Sequence, residues 1–213
     1  MRLFEAKIEI VPTEKVSTSI TNLLSSLQEK GKKPYFIAGG GHGNLGTQAY
    51  VECYREIEEF EQENHLFFDY IFHASGTGTT QAGLICGKLI SRNEERKLVG
   101  ISIARSAERG RPVVLNSVKD YLVEHSFPIN ESELDAATIF DDHYIGEGYG
   151  KGDASSVITS LLRKNGIAFD NTYTGKAFGG TLEYLRSNGI QDKKILFLHT
   201  GGTPLFFDWL KKK

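Results

Sequence analysis

The apolar residues of this chain fall in short blocks whose spacing alternates between the two-residue period of a strand and the 3.6-residue period of a helix. Residues 7–11 alternate, carry β-branched side chains and stop at Pro12, which predicts a strand. Ile20, Leu23, Leu24 and Leu27 share one face of a helix predicted over 17–30, which Gly31 closes. A short apolar strand is expected at 34–38, running into Gly39, Gly40 and Gly41. Residues 45–60 predict a helix with an acidic outer face, 67–73 a buried strand, 79–90 a helix and 98–103 a strand. Further on, the pattern predicts a helix at 111–124, a short strand at 137–141 and helices at 154–164 and 176–188. A buried strand at 194–199 and a short final helix complete the series. Strand, glycine turn and helix recur in that order, the rhythm of an α/β protein with a mainly parallel sheet. Three glycine-rich loops follow predicted strand ends. Ligands of open α/β sheets sit beyond the carboxyl ends of the strands, so these loops are expected to converge on one crevice.

Composition narrows the picture. The 213 residues suffice for one large α/β domain, or a domain and part of another, and the 39% hydrophobic content supports a true core. A formal net charge of -2 gives no reason to expect nucleic acid or an acidic membrane surface, and Lys211, Lys212 and Lys213 read as a solvated end. Cys53 and Cys86 make neither a disulfide framework nor a metal set, and each reads as a small core residue. No histidine pair has metal-ligand spacing. The N-terminus does not read as a signal peptide, and no apolar run is long enough to span a membrane, so a cytoplasmic location is the default expectation.

The loop Ser75-Gly76-Thr77-Gly78-Thr79-Thr80 stands where a buried strand hands over to a helix. Glycines at 76 and 78 let backbone N–H groups face a concavity. The threonines add hydroxyl donors, and the helix that follows offers a positive dipole end. It matches neither the P-loop nor the dinucleotide fingerprint. It reads as a phosphate cradle or, equally, as a tight turn with threonine caps. Asn44 is placed to cap its helix or to reach a ligand carboxylate. Thr200, at a strand end, is placed to hydrogen-bond a heterocycle nitrogen or to cap the next helix. Tyr149 and Tyr173 lie in glycine-containing loops, where a phenol donates protons, stacks on a planar ligand or simply packs. His73 and His199, at strand ends, read as satisfied, partly buried imidazoles.

Together these segments resemble one family. Gly39-Gly40-Gly41-His42-Gly43-Asn44-Leu45-Gly46 followed by Ala49-Tyr50-Val51-Glu52 is similar to its Gly-Gly-Ser-Asn…Leu-Gly…Gly-Tyr-Val-Glu stretch. The segment from Ser75 to Gly83 resembles its phosphate loop, and that from Tyr144 to Gly150 its Asp-Tyr…Tyr-Gly segment. Asp170-Asn171-Thr172-Tyr173-Thr174-Gly175-Lys176-Ala177 resembles Asp-Pro-Val-Tyr-Thr-Gly-Lys-Ala, and the segment from Ile195 to Pro204 its terminal Ile-Leu-Phe-Ile-His-Thr-Gly-Gly…Pro. The family is that of the pyridoxal-phosphate enzymes typified by 1-aminocyclopropane-1-carboxylate deaminase and D-cysteine desulfhydrase, with a tryptophan-synthase-β-like fold.

The resemblance implies that Gly76, Thr77, Gly78, Thr79 and Thr80 bind pyridoxal 5'-phosphate, with Thr200 and Gly201 at its ring nitrogen. It implies catalytic roles for Tyr173 and Tyr149, and substrate contacts for Asn44 and Thr174. Thr174 stands where the deaminase branch carries a glutamate and the desulfhydrase branch a threonine, which tilts the reading toward β-elimination from a small D-amino acid. His42 and Asn171-Thr172 depart from the family pattern. The Gly-Asn-Lys-x-Arg-Lys motif that carries the family's Schiff-base lysine, and the Ser-Asn-His loop after it, are absent from this sequence. Lys176 has a counterpart beside the true Schiff-base lysine and is not expected to replace it. The chain therefore reads as the C-terminal portion of a two-domain fold, roughly residues 1–110 from the central or small domain and 111–213 from the large one. It is expected to act with a separately encoded N-terminal portion or in a homo-oligomer, or to be a truncated form of a longer enzyme, and to be poorly stable as a free monomer. The alternatives are a catalytically inactive, pyridoxal-phosphate-binding or regulatory paralogue, and a sugar-phosphate or nucleotide binder.

Overall fold

The computed structural model describes residues 4–144, 148 and 153–211. The chain divides into two compact units, Met1–Ala38 and Gly39–Lys213. The boundary expected near residue 110 lies inside the second unit, where strands from either side of that position share one sheet.

In the first unit a single 3-10 turn, Thr13–Lys15, leads into helix α1, Val16–Glu29. No residue of α1 is buried. The strands expected at 7–11 and 34–38 do not form. A strand's N–H and C=O groups need a neighbouring strand, and none of the described residues in this unit supplies one. Ile8, Ile10, Tyr35, Phe36 and Ile37 are accordingly exposed.

The second unit holds a four-stranded, all-parallel sheet. After α2 (Asn44–Asn64), the chain runs β1 (Tyr70–Ser75), α3 (Thr79–Ile90), β2 (Lys97–Ser102) and α4 (Ala107–Glu124). It continues through α5 (Glu131–Ala137), β3 (Ile139–Asp141), α6 (Ser155–Asn165), α7 (Thr174–Ser187), β4 (Ile195–Leu198) and α8 (Thr203–Leu210). The α/β class and parallel sheet read from the pattern are therefore present. Helix α5 was not anticipated. Asn130 caps it by accepting from the N–H groups of Ser132 and Glu133.

The strand order is β3-β2-β1-β4. β1 pairs with β2 from Tyr70–Lys97 to Ser75–Ser102, and with β4 from Tyr70–Ile195 to His73–Leu198. Side chains alternate between two cores. Ile71 and Leu98 turn toward α2, α3 and α4, while Phe72, Val99 and Ile101 pack with Ala177 of α7. α2 packs closely along α3, where Gly83 and Gly87 present a flat face. A Cβ at Gly83 would fall 2.4 Å from Thr47 O, and one at Gly87 2.5 Å from Tyr54 Cβ. β1 and β2 are buried, whereas all four residues of β4 are half-buried. Successive strands step outward from β1 through β2 to β3, then β4 returns to the other side of β1. The order thus reverses between β1 and β4, and a doubly wound sheet opens its ligand crevice at such a switch point.

Candidate functional site

Two of the glycine-rich loops leave the sheet at this switch point, after β1 and after β4. The first begins at Ser75, whose hydroxyl donates to Gln81 Oε1 at 2.8 Å and so ties the strand end to α3. Gly78 is the N-cap of α3, with φ of 93° and no capping side chain. The first intrahelical bond runs from Ala82 N–H to Gly78 O at 2.9 Å. The N–H groups of Thr79, Thr80 and Gln81 precede it, and with the helix dipole they favour an anion. Thr77 Oγ1 lies 3.3 Å from Thr79 Oγ1, bringing two hydroxyls to the same place.

The loop before α2 closes over this cradle. A Cβ on Gly40, whose φ is 69°, would stand 2.6 Å from Thr77 Oγ1. A Cβ on Gly46 would stand 1.9 Å from Gly41 O and 2.8 Å from Thr79 Cγ2. The close approach of these two loops therefore depends on the absence of side chains. His42 Nδ1 lies 3.5 Å from Thr79 Oγ1, a contact the sequence alone did not indicate.

After β4, Gly201 and Gly202 have φ values of 113° and 93°, and Gly202 caps α8. His199 holds the start of this turn. Its Nδ1 accepts from Gly201 N–H at 3.3 Å and its Nε2 lies 3.0 Å from Ala168 O, a pair of contacts that places the ring proton on Nε2. The imidazole is satisfied, as expected, but exposed rather than partly buried. His73 differs: it is fully buried in mid-sheet, and among the described residues neither ring nitrogen has a hydrogen-bond partner. Burial pushes its pKa down to about 3, so the ring is neutral.

The third segment precedes α7. Tyr173 is the helix N-cap and its side chain is partly exposed. The carboxylate of Asp170, fully buried, accepts the N–H groups of Thr172, Tyr173 and Thr174 and the hydroxyl of Thr174. Lys176, on the first turn of α7, is buried and its Nζ donates to Gly148 O at 3.4 Å. Burial pushes its pKa down, and the charge of Asp170 partly opposes that shift.

The expected site residues are thus brought together unevenly. Gly76, Thr77, Gly78, Thr79 and Thr80 form the cradle at the end of β1. Thr200 and Gly201 lie at the same end of the neighbouring strand. Asn44 turns elsewhere: it is the first residue of α2, and its amide donates to Glu124 Oε2 and to Asp120 O. The Thr174 hydroxyl is buried and committed to Asp170, and a substrate contact there requires that bond to open. Tyr149 lies outside the described residues. Sequence reasoning passed over the role of Asp170, whose carboxylate reaches the N–H groups of Thr172, Tyr173 and Thr174 at the entry to α7. Among the described residues no group of three or more His, Cys, Asp or Glu is placed to hold a metal, and no helix is long and apolar enough to cross a membrane.

A doubly wound sheet with glycine-rich loops gathered at its switch point has the arrangement in which open α/β proteins hold their ligands. Family comparison makes this specific: the model described as "Pyridoxal-phosphate dependent enzyme" matches residues 1–201, and the chain belongs to that family. It is 31% identical over 208 residues to the D-cysteine desulfhydrase of Serratia proteamaculans, covering 96% of this chain and 62% of that protein. It is 36% identical over 182 residues to a putative 1-aminocyclopropane-1-carboxylate deaminase of Pyrococcus horikoshii, covering 84% of this chain and 53% of that protein. A solved structure of an ACC deaminase homologue superposes with a TM-score of 0.82 at 30% identity, covering 96% of this chain and 60% of that one. A hydrogen sulfide-producing enzyme of Fusobacterium nucleatum shares the fold, with a TM-score of 0.58 at 20% identity, covering 95% of this chain and 64% of that one. The chain spans between half and two thirds of the length of these relatives.

Proposed function

We propose that this chain is the cofactor-holding portion of a pyridoxal-phosphate-dependent lyase or deaminase acting on a small amino acid. The β-elimination of the D-cysteine desulfhydrases is the favoured chemistry and 1-aminocyclopropane-1-carboxylate deamination the neighbouring one. The observation that carries the proposal is the uncapped N-terminus of α3, with Thr77 and Thr79 beside it and with Gly40, before α2, and Gly46, in the first turn of α2, packed against them.

That cradle fits a phosphate dianion. Backbone N–H groups and threonine hydroxyls donate, the helix dipole adds its positive end, and glycines leave the space open. In this reading Gly76, Thr77, Gly78, Thr79 and Thr80 hold the phosphate. Thr200 and Gly201, beyond the adjacent strand, meet the ring nitrogen. The cofactor, when bound, supplies an electron sink at the α-carbon of the amino acid. Thr200 offers the ring nitrogen a neutral hydroxyl rather than a charge, which leaves that nitrogen unprotonated and moderates the sink. Tyr173, partly exposed at the start of α7, is the group placed to hold or move a proton, together with Tyr149 from its glycine-rich segment. In this reading the Schiff-base lysine belongs to the part of the relatives' length that this match does not cover.

Equilibrium titration of the 213-residue chain tests the phosphate reading. Pyridoxal 5'-phosphate is expected to bind at least about tenfold more tightly than pyridoxal, since charge-assisted hydrogen bonds contribute about 1.5–3 kcal/mol each. Equal binding of the two, or binding of neither, overturns it. Gly46→Ala forces a Cβ into Gly41 O and toward Thr79. An overpacking cost of about 1–3 kcal/mol predicts roughly a tenfold to hundredfold loss of pyridoxal 5'-phosphate affinity. Activity is read by combining the chain with the N-terminal portion of a relative. The expected product is hydrogen sulfide from D-cysteine, and ammonia released only from 1-aminocyclopropane-1-carboxylate would favour the deaminase assignment.

A further inference from the structure

We propose that Asp170 is a positioning residue that locks the Tyr173 segment to the turn after β4, so that the two sides of the site move as one. The lock stands on contacts within this chain, and only the identity of the ligand between its two sides rests on the function proposed above.

Asp170 is fully buried. Its Oδ1 accepts from Thr172 N–H at 2.7 Å and Tyr173 N–H at 2.6 Å. Its Oδ2 accepts from Thr174 N–H at 2.9 Å and Thr174 Oγ1–H at 2.7 Å. The backbone returns the arrangement: Asp170 N–H donates to Thr174 Oγ1 at 3.3 Å, and Gly175 N–H donates to Asp170 O at 2.9 Å. A helix cap needs one or two of these bonds. Here both carboxylate oxygens are engaged, so the backbone carrying Tyr173 has little freedom to turn.

The second half of the lock is steric. Gly202 lies against the same carboxylate, and a Cβ there would stand 2.3 Å from Asp170 Oδ2 and 2.8 Å from its Cγ. With φ of 93°, Gly202 also holds a backbone conformation that other residues rarely adopt. The turn that carries Thr200 and Gly201 therefore rests on the group that fixes Tyr173. A shift of the carboxylate moves both. This makes Asp170 a determinant of the spacing between a proton-carrying phenol and the hydroxyl assigned to the ring nitrogen, without touching the ligand itself.

A plain helix cap and a lock differ in reach, and hydrogen exchange on the full chain separates them. Asp170→Asn keeps the volume and one acceptor oxygen. The lock predicts faster exchange by about tenfold or more at 172–175 and also at 201–206, 31 or more residues away in sequence. Gly202→Ala approaches from the other side and is expected to accelerate exchange at 172–175. Acceleration confined to 172–175 in Asp170→Asn, or a 172–175 segment unmoved by Gly202→Ala, overturns the lock. Either variant decides alone, so the failure of one to fold leaves the other. Pyridoxal and pyridoxal 5'-phosphate titrations add a second reading. Asp170→Asn is expected to weaken both by a similar factor, because the phosphate cradle at α3 is untouched. If the unmodified chain binds neither compound while the exchange result holds, the cofactor reading falls and the lock stands.

Discussion

Acidification is expected to destabilise the folded chain through His73 by up to about 1.4 kcal/mol for each pH unit below 6.5. The ring is fully buried in β1, in register with Gly100 and Leu198, and both nitrogens lack partners among the described residues. An unfolded chain takes up a proton on this histidine near its ordinary value of 6.5, whereas burial holds the folded value at about 3. Between those values the unfolded state binds more protons, so stability rises with pH. The contribution is whole above 6.5, declines through the window and is lost near 3, a total of a few kcal/mol. Urea unfolding at a series of pH values, compared between the wild type and His73→Leu, isolates the effect, because the carboxylates that also titrate are common to both. The leucine variant should show a shallower decline from pH 6.5 to 4. Parallel curves would refute the assignment.

The second large effect lies where α2 hands over to β1. Arg96 is fully buried, and its Nη2 is bonded to Glu61 Oε2. Its Nε donates to Phe68 O at 3.2 Å, and Glu61 Oε1 accepts Phe68 N–H at 2.6 Å. The pair thus holds both backbone groups of one residue, two positions before the strand begins. The guanidinium also stands 5.0 Å from the ring centre of Tyr54 and 4.9 Å from that of Phe67. Arg96→Met leaves the Glu61 carboxylate buried without its charge partner and should cost about 3–5 kcal/mol in chemical denaturation. Replacing both residues with methionine should recover much of that loss, because no uncompensated charge remains. A single variant within about 1 kcal/mol of wild type would show that the pair does not hold the junction as described.

This junction also explains one displaced boundary. The apolar run predicts a strand from Phe67, yet β1 begins at Tyr70. The backbone groups of Phe68 are already taken by Glu61 and Arg96 and cannot join the ladder. A similar displacement occurs at α4, which begins at Ala107 rather than 111 because Asp142, beyond β3, accepts the Ala107 N–H. Arg96 lies 28 residues from Phe68 and Asp142 lies 35 from Ala107, so no local pattern announces either contact.

By itself the sequence determined the elements whose signals are local. α3 spans Thr79–Ile90 as expected, because the glycine turn at 76–78 marks its start and the apolar spacing runs out after Ile90. The α/β class and the parallel sheet followed from the same short-range order of strand, glycine loop and helix, and the family from the resemblance of its motifs. Tertiary structure decided what depends on distant neighbours. Residues 7–11 and 34–38 have strand patterns but no partner strand among the described residues, so the backbone bonds that would make them strands are missing. Thr174 and Asn44 look like ligand contacts in sequence, but their polar groups are taken up by Asp170 and Glu124. The close approach of Gly40 to Thr77 and of Gly46 to Thr79 is likewise set by the fold, not by any local pattern. Hydrogen-bonding capacity is finite and closest approach is set by atoms far apart along the chain, and the fold decides how both are used.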